Sequence, residues 1–206
     1  WLSSDDLFYD YKLEEQIKQF RELDDSYALI YGGYDLLIQD KKRIYITQPI
    51  EPIESGAEFP EMLKHDFIYG CSVMMHMHII KDIGAFHPHF RHAQDAEFWL
   101  RIASRGFRFY LMNRKLVIRR EHSEQASTGN IIYCRYDAVC IIDYYLSRYH
   151  LFEMYRYFNI NDMGDTDRFI NHLSSRMYGA DPTVNHPLLR EKFWDWFDAG
   201  LEVLPP

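Results

Sequence analysis

Apolar residues recur at helical spacing near the start of the chain. Leu13, Ile17 and Phe20 stand four and three apart, with charges between them. The spacing predicts an amphipathic helix over residues 11–23, with Asp10 as its N-cap. Residues 27–38 are rich in Tyr, Leu and Ile, and residues 43–47 alternate, which predicts two strands around a turn at 39–42. Pro49, Pro52, Gly56 and Pro60 mark residues 48–60 as an irregular loop. A short helix is predicted over 59–65, a strand-like run over 67–75, and a second short helix over 77–83 that Gly84 ends. Residues 93–105 read as a strong helix stopped by Gly106. Two strands, 107–112 and 116–120, are expected on either side of a turn at 113–115. Helices are expected at 131–148, 165–176 and 188–201. The pattern is mixed α and β to about residue 122 and helical afterwards. Residues 1–2 read as the end of a strand that runs into a turn at Ser3–Asp6.

Composition narrows the class. A chain of 206 residues suits one domain, or one domain with an appendage. A chain of that size buries roughly 70% of its unfolded surface, so it needs no disulfide or metal scaffold to fold. The 47% hydrophobic and 26% charged residues exclude a wholly disordered chain. The aromatic share of 17% includes 16 tyrosines, whose apolar rings and polar tips suit wet clefts. A formal charge of −8 argues against a sequence-independent nucleic-acid binder and leaves room for a local basic pocket. The longest apolar runs are too short to span a bilayer, and no secretory signal is visible. Cys71, Cys134 and Cys140 form no paired pattern and read as reduced thiols, which favours a cytoplasmic location.

Three polar constellations carry candidate chemistry. Asp5 and Asp6 follow an apolar pair and two serines, and Mg²⁺ is held by one or two carboxylates together with substrate phosphates. Either residue equally suits a turn cap. Asp95 stands at the start of the helix expected over 93–105. There it fits a general base or a charge that stabilises the helix. Residues 119–127 (Arg119, Arg120, Glu121, His122, Ser123, Glu124, Gln125, Ala126, Ser127) follow a strand. His122 suits a metal and Arg120 a phosphate, and a solvated strand exit explains the same residues. His76, His78, His87, His89 and His92 lack zinc-site spacing and read as loop and surface histidines. Trp99 and the tyrosines near Tyr144 read as packing, as does the aromatic stripe of Trp194, Trp196 and Phe197.

Taken in order, the pieces are an Asp pair, Gly-Cys-Ser at 70–72, Ile-Gly-Ala-Phe at 83–86, Asp95, and the exit Arg120-x-His122-x-x-Gln125-x-Ser127. This order resembles the nucleotide-sugar glycosyltransferases of family 2, which have the GT-A fold. The resemblance covers residues 1–127. It implies an α/β fold, a partial GT-A-like mixed sheet with flanking helices; the residue pattern adds a helical C-terminal region over 128–206. It implies that Asp5 is the metal-coordinating member of a D-x-D motif, with Asp6 beside it as a cofactor-binding residue. It implies that Asp95 is the base that deprotonates the acceptor hydroxyl, that His122 joins the metal site, and that Arg120 and Gln125 face the diphosphate. Mg²⁺ or Mn²⁺ is the implied cofactor. The implied partners are a nucleotide-sugar donor and a saccharide or lipid-linked hydroxyl acceptor. Two departures stand out: Ser3 replaces the first aspartate of the motif, and Gln94 replaces an acidic residue before the base.

In that family a nucleotide-binding half precedes the D-x-D motif, whereas this sequence begins at Trp1, on the motif itself. The expectation is therefore the acceptor-side portion of a longer enzyme, cytoplasmic or peripheral at the inner membrane face. The alternative is a non-catalytic interaction or oligomerisation domain derived from such an enzyme. An unpaired sheet edge would favour a homo-oligomer.

Overall fold

The computed structural model describes residues 1–38, 43–47, 50–64, 68–122, 131–146 and 148. The helices expected at 165–176 and 188–201, and the stripe from Trp194 to Phe197, lie outside the described residues. The chain divides into two compact units, Trp1–Met62 with Asp66–Asn130, and Leu63–His65 with Ile131–Pro206.

The first unit is a mixed five-stranded sheet with helices. Its elements are β1 (Leu7–Phe8), α1 (Lys12–Leu23), β2 (Ala28–Ile38), β3 (Arg43–Ile46), β4 (Met74–Met75), α3 (Met77–Ile83), α4 (Gln94–Ala103) and β5 (Arg108–Glu121), with most of α2 (Glu58–Lys64). The strand order is β1-β5-β2-β3, and β4 also pairs with β2. β2 and β5 run parallel, whereas β1 pairs antiparallel with β5, as β3 and β4 do with β2. The first four residues of β2, Ala28–Tyr31, are wholly buried, as a central strand with β-branched and aromatic neighbours requires. Phe98, Trp99, Leu100 and Ile102 bury the inner face of α4. In the second unit, α5 (Ile131–Leu146, the last helix described) buries Ile141, Ile142 and Tyr145 and exposes Ile132, Tyr133, Tyr136 and Tyr144. Among the described residues, no helix is long and apolar enough to cross a membrane.

Several local expectations give way to packing. Arg108–Glu121 form one strand, not two around a turn. The residues expected to turn are absorbed in a bulge, where Gly32 pairs with Met112, Gly33 with Lys115 and Tyr34 with Val117. Glycine at both positions makes this close approach possible. A Cβ on Gly32 would lie 2.5 Å from Leu116 Cδ1, and one on Gly33 2.8 Å from Lys115 Cδ. Of the strand-like run expected over 67–75, the described residues 68–75 supply the two-residue β4 and a 3₁₀ turn at Gly70–Ser72. There, Ser72 N and Ser72 Oγ both donate to Tyr69 O, at 2.8 and 2.7 Å, so local bonds replace a ladder. Strand pairing near the N-terminus begins after the aspartate turn, at Leu7, and residues 1–2 join no strand.

The inner face of α1 is rotated by about one residue from the one its apolar spacing predicts. Leu13 and Ile17 are half exposed, and the buried residues are Lys12 and Gln16. These two polar side chains satisfy each other and the backbone. Lys12 Nζ donates to Gln16 Oε1 at 2.6 Å, and Gln16 Nε2 donates to Ser72 O at 2.9 Å. Lys12 also lies over the Phe8 ring, 4.4 Å from its centroid. The helix starts after Tyr11, and the N-cap side chain makes no capping bond, so Asp10 is not the cap.

Candidate functional site

The antiparallel pairing of β1 with β5, Leu7 opposite Ile118 and Phe8 opposite Val117, carries the end of β5 back alongside the aspartate turn. The turn closes when Asp6 N donates to Ser3 O at 3.4 Å. Ser3 N donates to Cys71 Sγ at 3.3 Å, which ties the turn to the 3₁₀ segment. The two aspartates have different surroundings.

Asp6 is buried, and protein donors engage both of its oxygens. Arg120 N donates to Oδ1 at 3.1 Å, and Oδ2 accepts from the Tyr69 hydroxyl and, at 3.2 Å, from the Cys71 thiol. Burial, and then the hydrogen bond to Asp6, push the Tyr69 hydroxyl far above its ordinary pKa. Burial likewise raises the Cys71 thiol. Both groups therefore keep their protons and donate them to the carboxylate. Asp5 is more open, and its Oδ2 lies 3.2 Å from His122 Nε2.

Asp5 and His122 are thus brought together across 117 positions of sequence. The carboxylate is an ordinary Mg²⁺ or Mn²⁺ ligand, whereas the imidazole suits softer divalent ions better than Mg²⁺, and phosphate oxygens and water would complete the shell. Among the described residues, no group of three or more His, Cys, Asp or Glu side chains is arranged to hold a metal unaided. Asp5 and His122 could hold a cation only together with ligands from outside these side chains. Arg120 meets Asp6 through its backbone, and its side chain is half-buried. Gln125 lies outside the described residues.

Sequence reasoning passed over Tyr69, and named Arg119 only as part of the polar strand exit. Tyr69 is the hydroxyl donor to Asp6. Arg119 lies over the rings of Tyr34 and Tyr69, 5.8 and 5.5 Å from their centroids. Strand alternation was the available signal for Arg119, because successive residues of β5 face opposite sides.

Asp95 lies in the first turn of α4 and accepts from Ala96 N at 3.0 Å. Its pKa is raised. Burial disfavours the charged form by more than the nearby backbone N–H groups stabilise it. Phe98, one turn further along, meets Phe86 at 4.9 Å between centroids, and Phe86 meets Trp1 at 5.4 Å. A chain of edge-to-face rings therefore runs from the helix of Asp95 to the segment that leads into the aspartate turn. Trp99 is buried and belongs to the core. His87 lies near His89 and Phe90, and His76 packs against Phe20 and His78.

No family model matches the chain. It is similar to proteins named uncharacterized glycosyltransferase from three Rickettsia species. The Rickettsia typhi protein is 31% identical over 134 residues, which covers 62% of this chain and 40% of the relative. The Rickettsia prowazekii protein is 28% identical over 131 residues, with the same coverage of each chain. The Rickettsia bellii protein is 31% identical over 129 residues, which covers 62% of this chain and 19% of the relative. The chain thus spans 40% or less of the length of these relatives.

Proposed function

We propose that this chain carries the acceptor side of a GT-A-like, inverting glycosyltransferase. It would help move a sugar from a nucleotide-diphosphate donor to a hydroxyl of a saccharide or lipid-linked acceptor. The observation that carries this reading is the pairing of Asp5 with His122 beside a turn that the buried Asp6 holds in place. Similarity to proteins named glycosyltransferase supports it.

In this reading Asp95 accepts the proton of the acceptor hydroxyl as that oxygen attacks the anomeric carbon. A base is more effective as its pKa approaches the working pH, and burial moves Asp95 in that direction. Asp6 holds the turn. Asp5 and His122 would hold the metal, and Arg120 would meet the diphosphate, a role the family resemblance also gives to Gln125. Bound Mg²⁺ or Mn²⁺ supplies charge neutralisation to the departing diphosphate.

The test is transfer by the intact protein, with the anomeric configuration of the product followed by NMR. Inversion supports the proposal. Retention of configuration overturns the role given to Asp95, and no transfer from any nucleotide-sugar overturns the activity.

A further inference from the structure

We infer that Arg101 is a positioning residue: its guanidinium ties the Ile83–Ala85 turn to the helix of Asp95, and so sets Phe86 between that helix and the aspartate turn. Four of the five N–H donors of the guanidinium are used. Nε and Nη2 grip the Glu97 carboxylate at 2.9 Å each. Nη1 donates to Ile83 O at 2.9 Å, and Nη2 also donates to Ala85 O at 2.8 Å. The cation lies 5.1 Å from the centroid of Phe98, the ring that Phe86 meets edge-on.

A simple i, i+4 ion pair on a helix needs neither carbonyl. Here the carboxylate is nearly buried and the fork is planar. Glu97 fixes the fork's orientation, and the remaining donors hold two carbonyls of the turn. Gly84 stands between those carbonyls at φ +90°, a conformation that lets both face the guanidinium, and a Cβ there would lie 3.4 Å from Nη1. Beyond the turn, Phe86 reaches Trp1, two residues before Ser3. The path Arg101, Ile83–Ala85, Phe86, Trp1 therefore joins the element that carries Asp95 to the element that carries Asp5.

The catalytic meaning of this link rests on the reading of Asp95 as the base, whereas the link itself can be tested without any transfer reaction. The first readout is the nuclear Overhauser contact between the rings of Phe86 and Trp1 in the intact protein. Arg101→Lys keeps the charge and loses the fork, and is expected to abolish that contact while contacts within the core of β2 and α4 persist. Glu97→Gln keeps one acceptor oxygen for the fork and both carbonyl bonds to the turn, and is expected to retain the ring contact. The second readout is kinetic. Arg101→Lys is expected to lower kcat on the order of tenfold with donor KM within about twofold, since a misplaced base costs turnover and not donor binding.

Retention of the Phe86–Trp1 contact in Arg101→Lys overturns the inference. So does equal loss in both variants together with the core contacts, which would mark a plain stabilising pair. Should Arg101→Lys fail to fold, Phe86→Ala keeps the grip and removes its far end. The same fall in kcat at unchanged KM is then expected, and unchanged kcat overturns the inference.

Discussion

His122 Nε2 lies 3.2 Å from Asp5 Oδ2 at the mouth of a turn whose other aspartate, Asp6, is buried and fully engaged. Two adjacent carboxylates thus have separate surroundings. Asp6 sets the geometry of the turn, and Asp5 is left available with an imidazole beside it.

Asp95→Asn removes the proposed base and keeps its size. Turnover by the intact protein is expected to fall on the order of 10²-fold or more, with folding unchanged by circular dichroism. Transfer near the wild-type rate would contradict the assignment.

Asp6→Ala leaves the Tyr69 hydroxyl, the Cys71 thiol and Arg120 N without their shared acceptor. A loss of about 1–3 kcal/mol is expected in urea unfolding, since a buried donor left unmatched incurs its full desolvation penalty. A change under about 0.5 kcal/mol would mean that the turn does not depend on this carboxylate.

Lys12 gives a pH signature. Burial lowers its pKa from 10.5 to about 8, so the folded protein releases this proton before the unfolded chain does. Below pH 8 both states are protonated and folding carries the full penalty of a buried cation. Between about pH 8 and 10.5 the unfolded chain binds more protons, so this residue makes stability rise with pH, by at most about 1.4 kcal/mol per pH unit. Denaturant titrations are expected to show that component in the wild type and to lack it in Lys12→Met. The same pH dependence in both proteins would place the ammonium in water.

Gly32→Ala is expected to destabilise the first unit by about 1–3 kcal/mol, because the new methyl meets Leu116 and Arg114 O in the bulge. Wild-type stability in urea would show that the bulge relaxes freely.

The sequence carried much of the architecture near the site. Strong local patterns gave α3, α4, β2 and β3 nearly to the residue, and Gly84 ends α3 with φ +90° as a helix stop should. Elements that depend on distant partners were hidden. Asn113–Lys115 looks like a turn until Gly32 and Gly33, some eighty positions away, open room for a bulge. Lys12 and Gln16 look solvent-facing until Ser72 O and the Phe8 ring supply their partners. Within the site, the residue types were legible and the division of labour was not, because the inward face of Asp6 depends on Tyr69, Cys71 and Arg120 together.

The central claim is that Asp5 and His122 jointly hold a cation shared with a diphosphate. Calorimetric titration of the intact protein with a nucleoside diphosphate, with and without Mn²⁺, tests it most directly. The account predicts binding that requires Mn²⁺ and that weakens at least about tenfold in Asp5→Ala and in His122→Ala, a loss of about 1.4 kcal/mol or more. Metal-independent binding, or binding of the same strength in both variants, would contradict it.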